Sequence, residues 1–405
     1  MAVGTETVDS VKPIAGIRLA AVEGNIRYAN RLDLVLIEIA SDSTVAGVFT
    51  QNAFCAAPVR VAKQHLTQEV SRYFLINTGN ANAGTGAPGD ADALACCQAL
   101  AKLNGLKPEQ VLPFSTGVIG EKLPVDKIIN ALPALQEVLS EESWLEAAQG
   151  ILTTDTRPKL ASTMLNIAGS QVSITGIAKG SGMIKPNMAT MLGFVSTDAK
   201  IAQPLLEKFL RTAVKCSFNR ITVDGDTSTN DGCMLVATGQ GSFVIEDADS
   251  KQADEFQHAL NSIFEQLATG LIRDAEGASK FITIEVNEGE SEQECLAVAY
   301  AVAESPLVKT AFFASDPNWG RILAAIGRAG IKNLDIDAVK VSLGDTLLVA
   351  NGAVHKAYTE SDGQSEMDNE EILVSISLAR GEASETVWTS DLSNEYVRIN
   401  ADYRS

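Results

Sequence analysis

Histidine is nearly missing from this 405-residue chain, which holds only His65, His258 and His355. That leaves little material for a histidine-based triad or a histidine metal site. Each reads as a surface residue, His65 and His258 within helical patterns and His355 after a strand. Cysteine is sparse as well. Cys55, Cys96, Cys97, Cys216, Cys233 and Cys295 show no zinc-ligand spacing, and adjacent Cys96 and Cys97 point apart on a helix, as reduced thiols filling core space would. Positive charge is short: 32 Lys and Arg against 51 Asp and Glu give a formal net charge of −19. A field of that sign argues against nucleic acid or an anionic membrane as partner. No apolar run approaches the ~18 residues of a membrane span, and the N-terminus lacks a basic region ahead of an apolar core, so a cytoplasmic enzyme is expected. What remains is an ordinary globular composition, 45% apolar and 20% charged, long enough for two domains.

The most unusual stretch is Ala178-Lys179-Gly180-Ser181-Gly182-Met183-Ile184-Lys185-Pro186-Asn187-Met188-Ala189-Thr190-Met191-Leu192-Gly193-Phe194. Glycines and Pro186 break any helix, while the flanks, 172–177 and 191–196, alternate like strands. A tight loop thus delivers Thr190 to the start of a strand. Ala189 offers almost no side chain to obstruct its carbonyl, so the Thr190 hydroxyl can attack it and cut the chain. The cut frees an α-amine that titrates at about 8 and serves as base for the hydroxyl on its own residue. The other reading of an isolated Ala-Thr pair is a small-residue turn before a buried strand.

Other segments carry weaker signals. Runs 34–40 and 46–51 read as paired strands across a polar turn. Strand 73–77 leads into Asn77-Thr78-Gly79-Asn80-Ala81-Asn82-Ala83-Gly84, where Gly and Asn tolerate positive φ and close approach, before a helix at 90–103. Strand 111–114 leads into Ser115-Thr116-Gly117, a turn able to offer a hydroxyl and a bare N–H to an oxyanion. The loop Thr153-Thr154-Asp155-Thr156-Arg157-Pro158-Lys159 can grip an amino-acid carboxylate or simply face solvent. The acids of 219–232 resemble part of a calcium loop, but the terminal glutamate and flanking helices are missing, so a structural loop is preferred. Helix 254–275 ends at a polar cluster holding Glu276, and strand 281–286 follows. The acidic run 285–294 reads as an exposed connection near a domain boundary, 309–314 as a strand, and 361–371 as a solvated loop. Tyr396, Ile399 and Tyr403 are apolar enough to dock the last residues.

The run 179–194 resembles, nearly residue for residue, the self-cleavage segment of the ornithine acetyltransferase (glutamate N-acetyltransferase) family, and further matching segments extend almost from end to end. The resemblance implies cleavage between Ala189 and Thr190, giving an α chain 1–189 and a β chain 190–405, with Thr190 as nucleophile. It places the oxyanion hole on Thr116 and Gly117, and substrate contacts on Thr156, Lys179, Thr190, Glu276, Asn400 and Ser405. Family members commonly finish in threonine where this chain has Ser405; the hydroxyl is kept. No metal or resident cofactor is implied. Acetyl-CoA is a donor for some members, and no residue identified in the sequence decides that case.

The mixture of amphipathic helices and alternating strands predicts an α/β class. The resemblance implies a four-layer α/β/β/α sandwich like that of N-terminal nucleophile hydrolases over 1–285, with a smaller C-terminal α/β domain over 286–405 whose tail, 396–405, returns to the active site. It also implies a heterotetramer of two α and two β chains. The activity implied is ping-pong transfer of acetyl from N2-acetyl-L-ornithine to L-glutamate through an acetyl-Thr190 intermediate, in arginine biosynthesis. A self-processing aminopeptidase or amidase would use the same nucleophile but release the acyl group to water. A non-catalytic binding module would leave the chain uncut.

Overall fold

A computed structural model describes residues 2–4, 11–185 and 191–402. In chain order the elements begin β1 (Ile17–Val22), β2 (Leu34–Ile39), β3 (Thr44–Phe49), α1 (Ala57–Gln68), β4 (Tyr73–Asn80), α2 (Gly86–Asn104) and β5 (Val111–Val118). Then come α3 (Val125–Glu137), α4 (Trp144–Gly150), β6 (Lys159–Ile167), β7 (Ser170–Lys179), β8 (Leu192–Thr197), β9 (Lys200–Ile201) and α5 (Gln203–Cys216). The chain continues through β10 (Ile221–Thr222), β11 (Gly232–Ala237), β12 (Val244–Ile245), α6 (Lys251–Arg273), β13 (Phe281–Gly289), α7 (Glu292–Ala303), α8 (Pro306–Phe313) and α9 (Trp319–Gly327). It closes with β14 (Lys340–Leu343), β15 (Thr346–Ala350), β16 (Ala353–Val354), α10 (Glu360–Met367), β17 (Glu371–Ser377), β18 (Ala383–Ser390) and α11 (Asn394–Ala401).

Two sheets stack face to face, one ordered β1-β2-β4-β5 and the other β3-β11-β8-β7-β6. The apolar run of β2 shows why both faces must be covered. Val35 and Ile37 enter the core between the sheets, whereas Leu34 and Leu36 turn to the outer core under α2 and α3. On the far side, Val172, Ile174 and Leu235 pack under α5 and α6, through Phe209, Phe256 and Leu260. The layers are therefore α/β/β/α. Between the sheets Phe114 of β5 meets Phe194 of β8 edge to face with centroids 5.0 Å apart, and Phe74 packs against both. This aromatic contact fixes the end of β5 against the beginning of β8.

A third sheet, ordered β10-β18-β13-β17-β14-β15-β16, has its own core with α7, α8 and α9, built on Ile284, Val298, Phe312, Ile326 and Val374. It is joined to the sandwich through β10 and a buried ion pair in which Arg220 donates to Glu385 at 2.7 and 2.8 Å. Among the described residues no single helix is long and apolar enough to cross a membrane.

Several expectations are corrected. Runs 34–40 and 46–51 do not pair: β2 and β3 belong to different sheets, because alternation names a buried face but not a partner strand. Residues 309–313 lie within α8 and Ala314 caps its end; the Ser305 hydroxyl accepts from Val308 N–H and Pro306 opens the first turn. The 285–294 run is no exposed connection, since β13 reaches Gly289 and α7 starts at Glu292, with Val286 and Cys295 fully buried. The position 285/286, expected as a domain boundary, lies within β13. Residues 361–371 contain most of α10. Thr116 and Gly117 are not in a turn after β5 but in its last residues. His65 is not on the surface; it is 2% exposed, and its Nδ1 lies 2.8 Å from the Val111 carbonyl oxygen.

Candidate active site

Strands β8 and β11 run parallel and β7 runs antiparallel to β8, so the beginnings of β8 and β11 and the end of β7 share one edge of the second sheet. The end of β5 reaches the same edge from the first sheet. Asn230, just before β11, holds the two sheets together there: its Nδ2 donates to the carbonyls of Ala81, 2.6 Å away, and Ser115, 2.9 Å away. The asparagines at the end of β4 and just after it are tied to the neighbouring segments: Asn80 Nδ2 donates to the Glu121 and Lys122 carbonyls, Asn82 Nδ2 donates to Gly89 O, and Asn77 Oδ1 accepts from the Ser115 hydroxyl at 2.6 Å. Asn77 donates to the Asn80 carbonyl, and Asn80 in turn accepts from Asn82 N–H. Their role is to hold the loop beside β5.

Gly117 is where that packing is closest. Its φ is +134°, and a Cβ there would stand 2.3 Å from the Gly79 carbonyl carbon, so only glycine fits. The neighbouring Thr116 hydroxyl accepts a hydrogen bond from Lys179 Nζ at 3.2 Å. Glu276 leans over Gly182 so closely that a Cβ on that glycine would lie 2.4 Å from Oε2. Asn400 Nδ2, from α11, donates to the same Oε2 at 2.7 Å, and Ser181 O accepts from Glu276 N–H at 2.9 Å.

These groups line one cavity of about 290 Å³, together with Thr153, Thr154, Met183, Met191 and the turn Ser228 to Asp231. Of the residues expected at the site, Thr116, Gly117, Lys179, Glu276 and Asn400 are brought together here. Thr156 is not among the lining residues: its N–H donates to Asp274 Oδ2 at 2.9 Å and its hydroxyl to the other carboxylate oxygen. Thr153 and Thr154 line the wall from that loop instead. Ala189, Thr190 and Ser405 lie outside the described residues, although Met191, bonded to Thr190, borders the cavity.

Behind the wall sits a buried charge cluster that pattern reading missed. Lys159 Nζ is 2.6 Å from both Asp155 Oδ1 and Asp274 Oδ2, and all three side chains are at most 1% exposed. Asp155 Oδ1 also accepts from Gly180 N–H at 2.7 Å, which ties the residue after Lys179 to this cluster. Burial pushes the Asp155 carboxyl up, but the Lys159 and Lys179 charges outweigh it and hold it below the usual carboxylate range. Burial depresses Lys179 despite the opposing pull of Asp155, Asp231 and Glu276. Burial also drives the Asp231 carboxyl well above its ordinary range, against a Ser228 hydrogen bond and the Lys179 charge. Asp224 holds the far side, its carboxylate accepting from Met183 N–H at 2.6 Å, Ile184 N–H at 2.9 Å and the Tyr396 hydroxyl at 3.1 Å. The alternating acids of 219–232 were the available signal for Asp224 and Asp231, and the partners that define them are remote in sequence.

The arrangement can receive a small charged molecule: a cation and two carboxylates face the space, with a hydroxyl and a glycine backbone at one end. The family model for the ArgJ family matches residues 18–405. The arginine biosynthesis bifunctional protein ArgJ of Methylococcus capsulatus is 56% identical over 393 residues, covering 97% of this chain and 96% of that protein. The protein of the same name from Psychrobacter arcticus is 55% identical over 409 residues, covering 100% of both. Among solved structures, the arginine biosynthesis bifunctional protein ArgJ of Bacillus halodurans is 35% identical, with a TM-score of 0.49, over 51% of this chain and 97% of that one.

Proposed function

The chain belongs to the ArgJ family, and from that premise we propose that it transfers the acetyl group of N2-acetyl-L-ornithine to L-glutamate in arginine biosynthesis, with acetyl-CoA as a second donor. The bifunctional name shared by relatives matching the whole chain supports the second donor. One observation carries the site assignment: Thr116, Gly117, Lys179, Glu276 and Asn400, distant in sequence, converge on one cavity bordered by the residue that follows Thr190.

In the proposed mechanism the chain cuts itself between Ala189 and Thr190. The freed α-amine takes the Thr190 hydroxyl proton as the oxygen attacks the acetyl carbonyl. Thr116 and the Gly117 backbone receive the oxyanion. Glu276 pairs with the side-chain ammonium of ornithine, Lys179 and the 153–156 loop take the α-carboxylate, and Asn400 and Ser405 close the site from the C-terminus. Glutamate then collects the acetyl group from the ester. The assembly is two α and two β chains, and the boundary between catalytic and C-terminal parts falls in the loop 274–280, ahead of β13.

The test is an intact-mass spectrum under denaturing conditions. Two species meeting at 189/190 and an added acetyl mass on the β chain after N-acetylornithine are expected, with both absent in Thr190→Ala. Transfer surviving in that variant would remove Thr190 from the mechanism. Acetate released as fast without glutamate as with it would mark an amidase instead.

A further inference from the structure

Donor and acceptor put opposite demands on one site. Ornithine carries a side-chain ammonium and glutamate a side-chain carboxylate, yet each must bring its α-nitrogen to the same acetyl carbon. The cavity that holds Glu276 suits ornithine: Lys179 is the one cation among its described lining residues, and the α-carboxylate takes it. Glutamate has a second carboxylate to place, and beside Glu276 it would meet a like charge. A further cation is therefore needed within a side chain's reach of the reacting nitrogen.

Arg31 has the placement for it. A second cavity, of about 180 Å³, adjoins the first, and Gly117, Val118, Thr153 and Thr154 line both. Arg31 is half-buried and borders this second cavity. Its Nη2 donates to the Leu152 carbonyl and, at 3.0 Å, to the Thr153 carbonyl, which fixes the guanidinium against the wall that the cavities share. Nε and Nη1 have no hydrogen-bond partner among the described residues, and neither is sealed from solvent. Asp33 lies in the field of Arg31, but its own oxygens accept from Gly24 and Ile26 N–H at 2.6 Å each. The other cation of this cavity is already paired, since Arg27 Nη1 lies 2.7 Å from Glu121 and its Nε donates to the Tyr28 hydroxyl at 3.1 Å. Asp402, just after α11, borders the cavity within the field of Arg398. A half-buried guanidinium with donors to spare is suited to a carboxylate, which it holds through charge-assisted hydrogen bonds.

We propose that Arg31 receives the side-chain carboxylate of glutamate, so that donor and acceptor share the reacting corner at Thr116 and Gly117 but send their side chains into different cavities. Rotation about the bond from the α-carbon to its nitrogen turns a side chain from one wall to the next without moving the nitrogen. Ornithine's ammonium goes to Glu276; glutamate's carboxylate passes the shared wall at Gly117 and Thr153 and reaches Arg31. Each is repelled from the other's cavity, the ammonium by Arg31 and the carboxylate by Glu276. The inference rests on the proposed acetyl transfer and adds the group that selects its acceptor.

The experiment measures transfer from N-acetylornithine to L-glutamate and to L-glutamine, whose side chain has nearly the same size without the charge. The ratio of kcat/KM for the two acceptors reports the acceptor step alone, because the donor step is common to both. Arg31→Gln is expected to lower that ratio by about 30-fold, chiefly through KM for glutamate, the loss that goes with a hydrogen bond to a charged group. Acetylation of the β chain by N-acetylornithine should fall far less, because ornithine does not reach Arg31. An unchanged ratio overturns the proposal, since a residue that merely shapes the 152–153 loop would weaken both acceptors alike. Glutamine serving the unsubstituted enzyme as well as glutamate overturns it without any variant. A loss confined to acetyl-CoA as donor would assign Arg31 to that donor's phosphates and overturn it too. Absence of acetyl mass on the β chain of the unsubstituted enzyme would count against acetyl-Thr190, whereas the ratio, read from steady-state transfer, still decides the role of Arg31.

Discussion

Lys159 is the most confined cation near the cavity, with 1% of its side chain exposed and two carboxylates at 2.6 Å. Taking three charges out of water costs several kcal/mol per ion, and their mutual pairing offsets that cost only while all three are present. Lys159→Met would leave Asp274 buried without its lysine partner and Asp155 with the Lys179 charge alone, and is expected to destabilise the fold by about 3–5 kcal/mol, read from urea midpoints at pH 7. An unmoved midpoint would mean the cluster admits water. The pH dependence follows from the same residues. The Asp155 carboxyl is held below its ordinary range in the folded chain, so its contribution is fully present above the unfolded carboxylate range of about 4 and is lost as pH falls below it. Urea midpoints measured from pH 6 down to pH 3 should therefore fall less steeply in Lys159→Met than in the unsubstituted protein.

At the scale of elements, α11 is the piece most clearly built for binding rather than for folding. It buries no residue completely and is held by polar contacts: the Ser393 hydroxyl donates to Gly277 O at 2.7 Å, Tyr396 reaches Asp224, and Asn400 reaches Glu276. Tyr396 alone packs against the sandwich core. Elements with few buried apolar contacts open at low free-energy cost. Ending the chain after Leu392 is expected to leave the melting temperature within a few degrees and to raise KM for N-acetylornithine by about tenfold or more, the worth of a hydrogen bond to a charged group. Loss of cooperative melting in the shortened chain would instead assign α11 to the core.

For the whole molecule, the strand order decides what self-cleavage can do. In the sheet β3-β11-β8-β7-β6, strands β3, β7 and β6 precede the proposed cut and β8 and β11 follow it. β11 pairs with β3 on one side and β8 with β7 on the other, so strands of the two products are interleaved across a shared core. Cleavage would therefore break one covalent bond and no sheet. The expected outcome is a single species in native size-exclusion chromatography that resolves into two chains only in denaturant. Dissociation of the chains at neutral pH without denaturant would contradict the interleaving.

Much of this was legible along the chain. The loop between two alternating runs, the helix carrying Phe256, Leu260 and Leu267, and strands β4, β7, β8 and β13 all follow from local periodicity and glycine placement, because those signals act over a few residues. The matching segments also pointed to Thr116, Lys179, Glu276 and Asn400 as site residues. Partnership was not legible. Whether β2 pairs with β3, whether His65 faces water or Val111, and whether Thr156 lines the cavity or binds Asp274 depend on contacts between residues far apart in sequence. The cluster of Lys159 with Asp155 and Asp274, and the Asp231 oxygen that has no partner among the described residues, exist only once burial removes competing water. Sequence set which segments become strands and helices and which residue types could react, since these depend on local backbone and side-chain chemistry; the tertiary structure alone decided which charges lose their solvent and which groups share one cavity, since those are properties of packing.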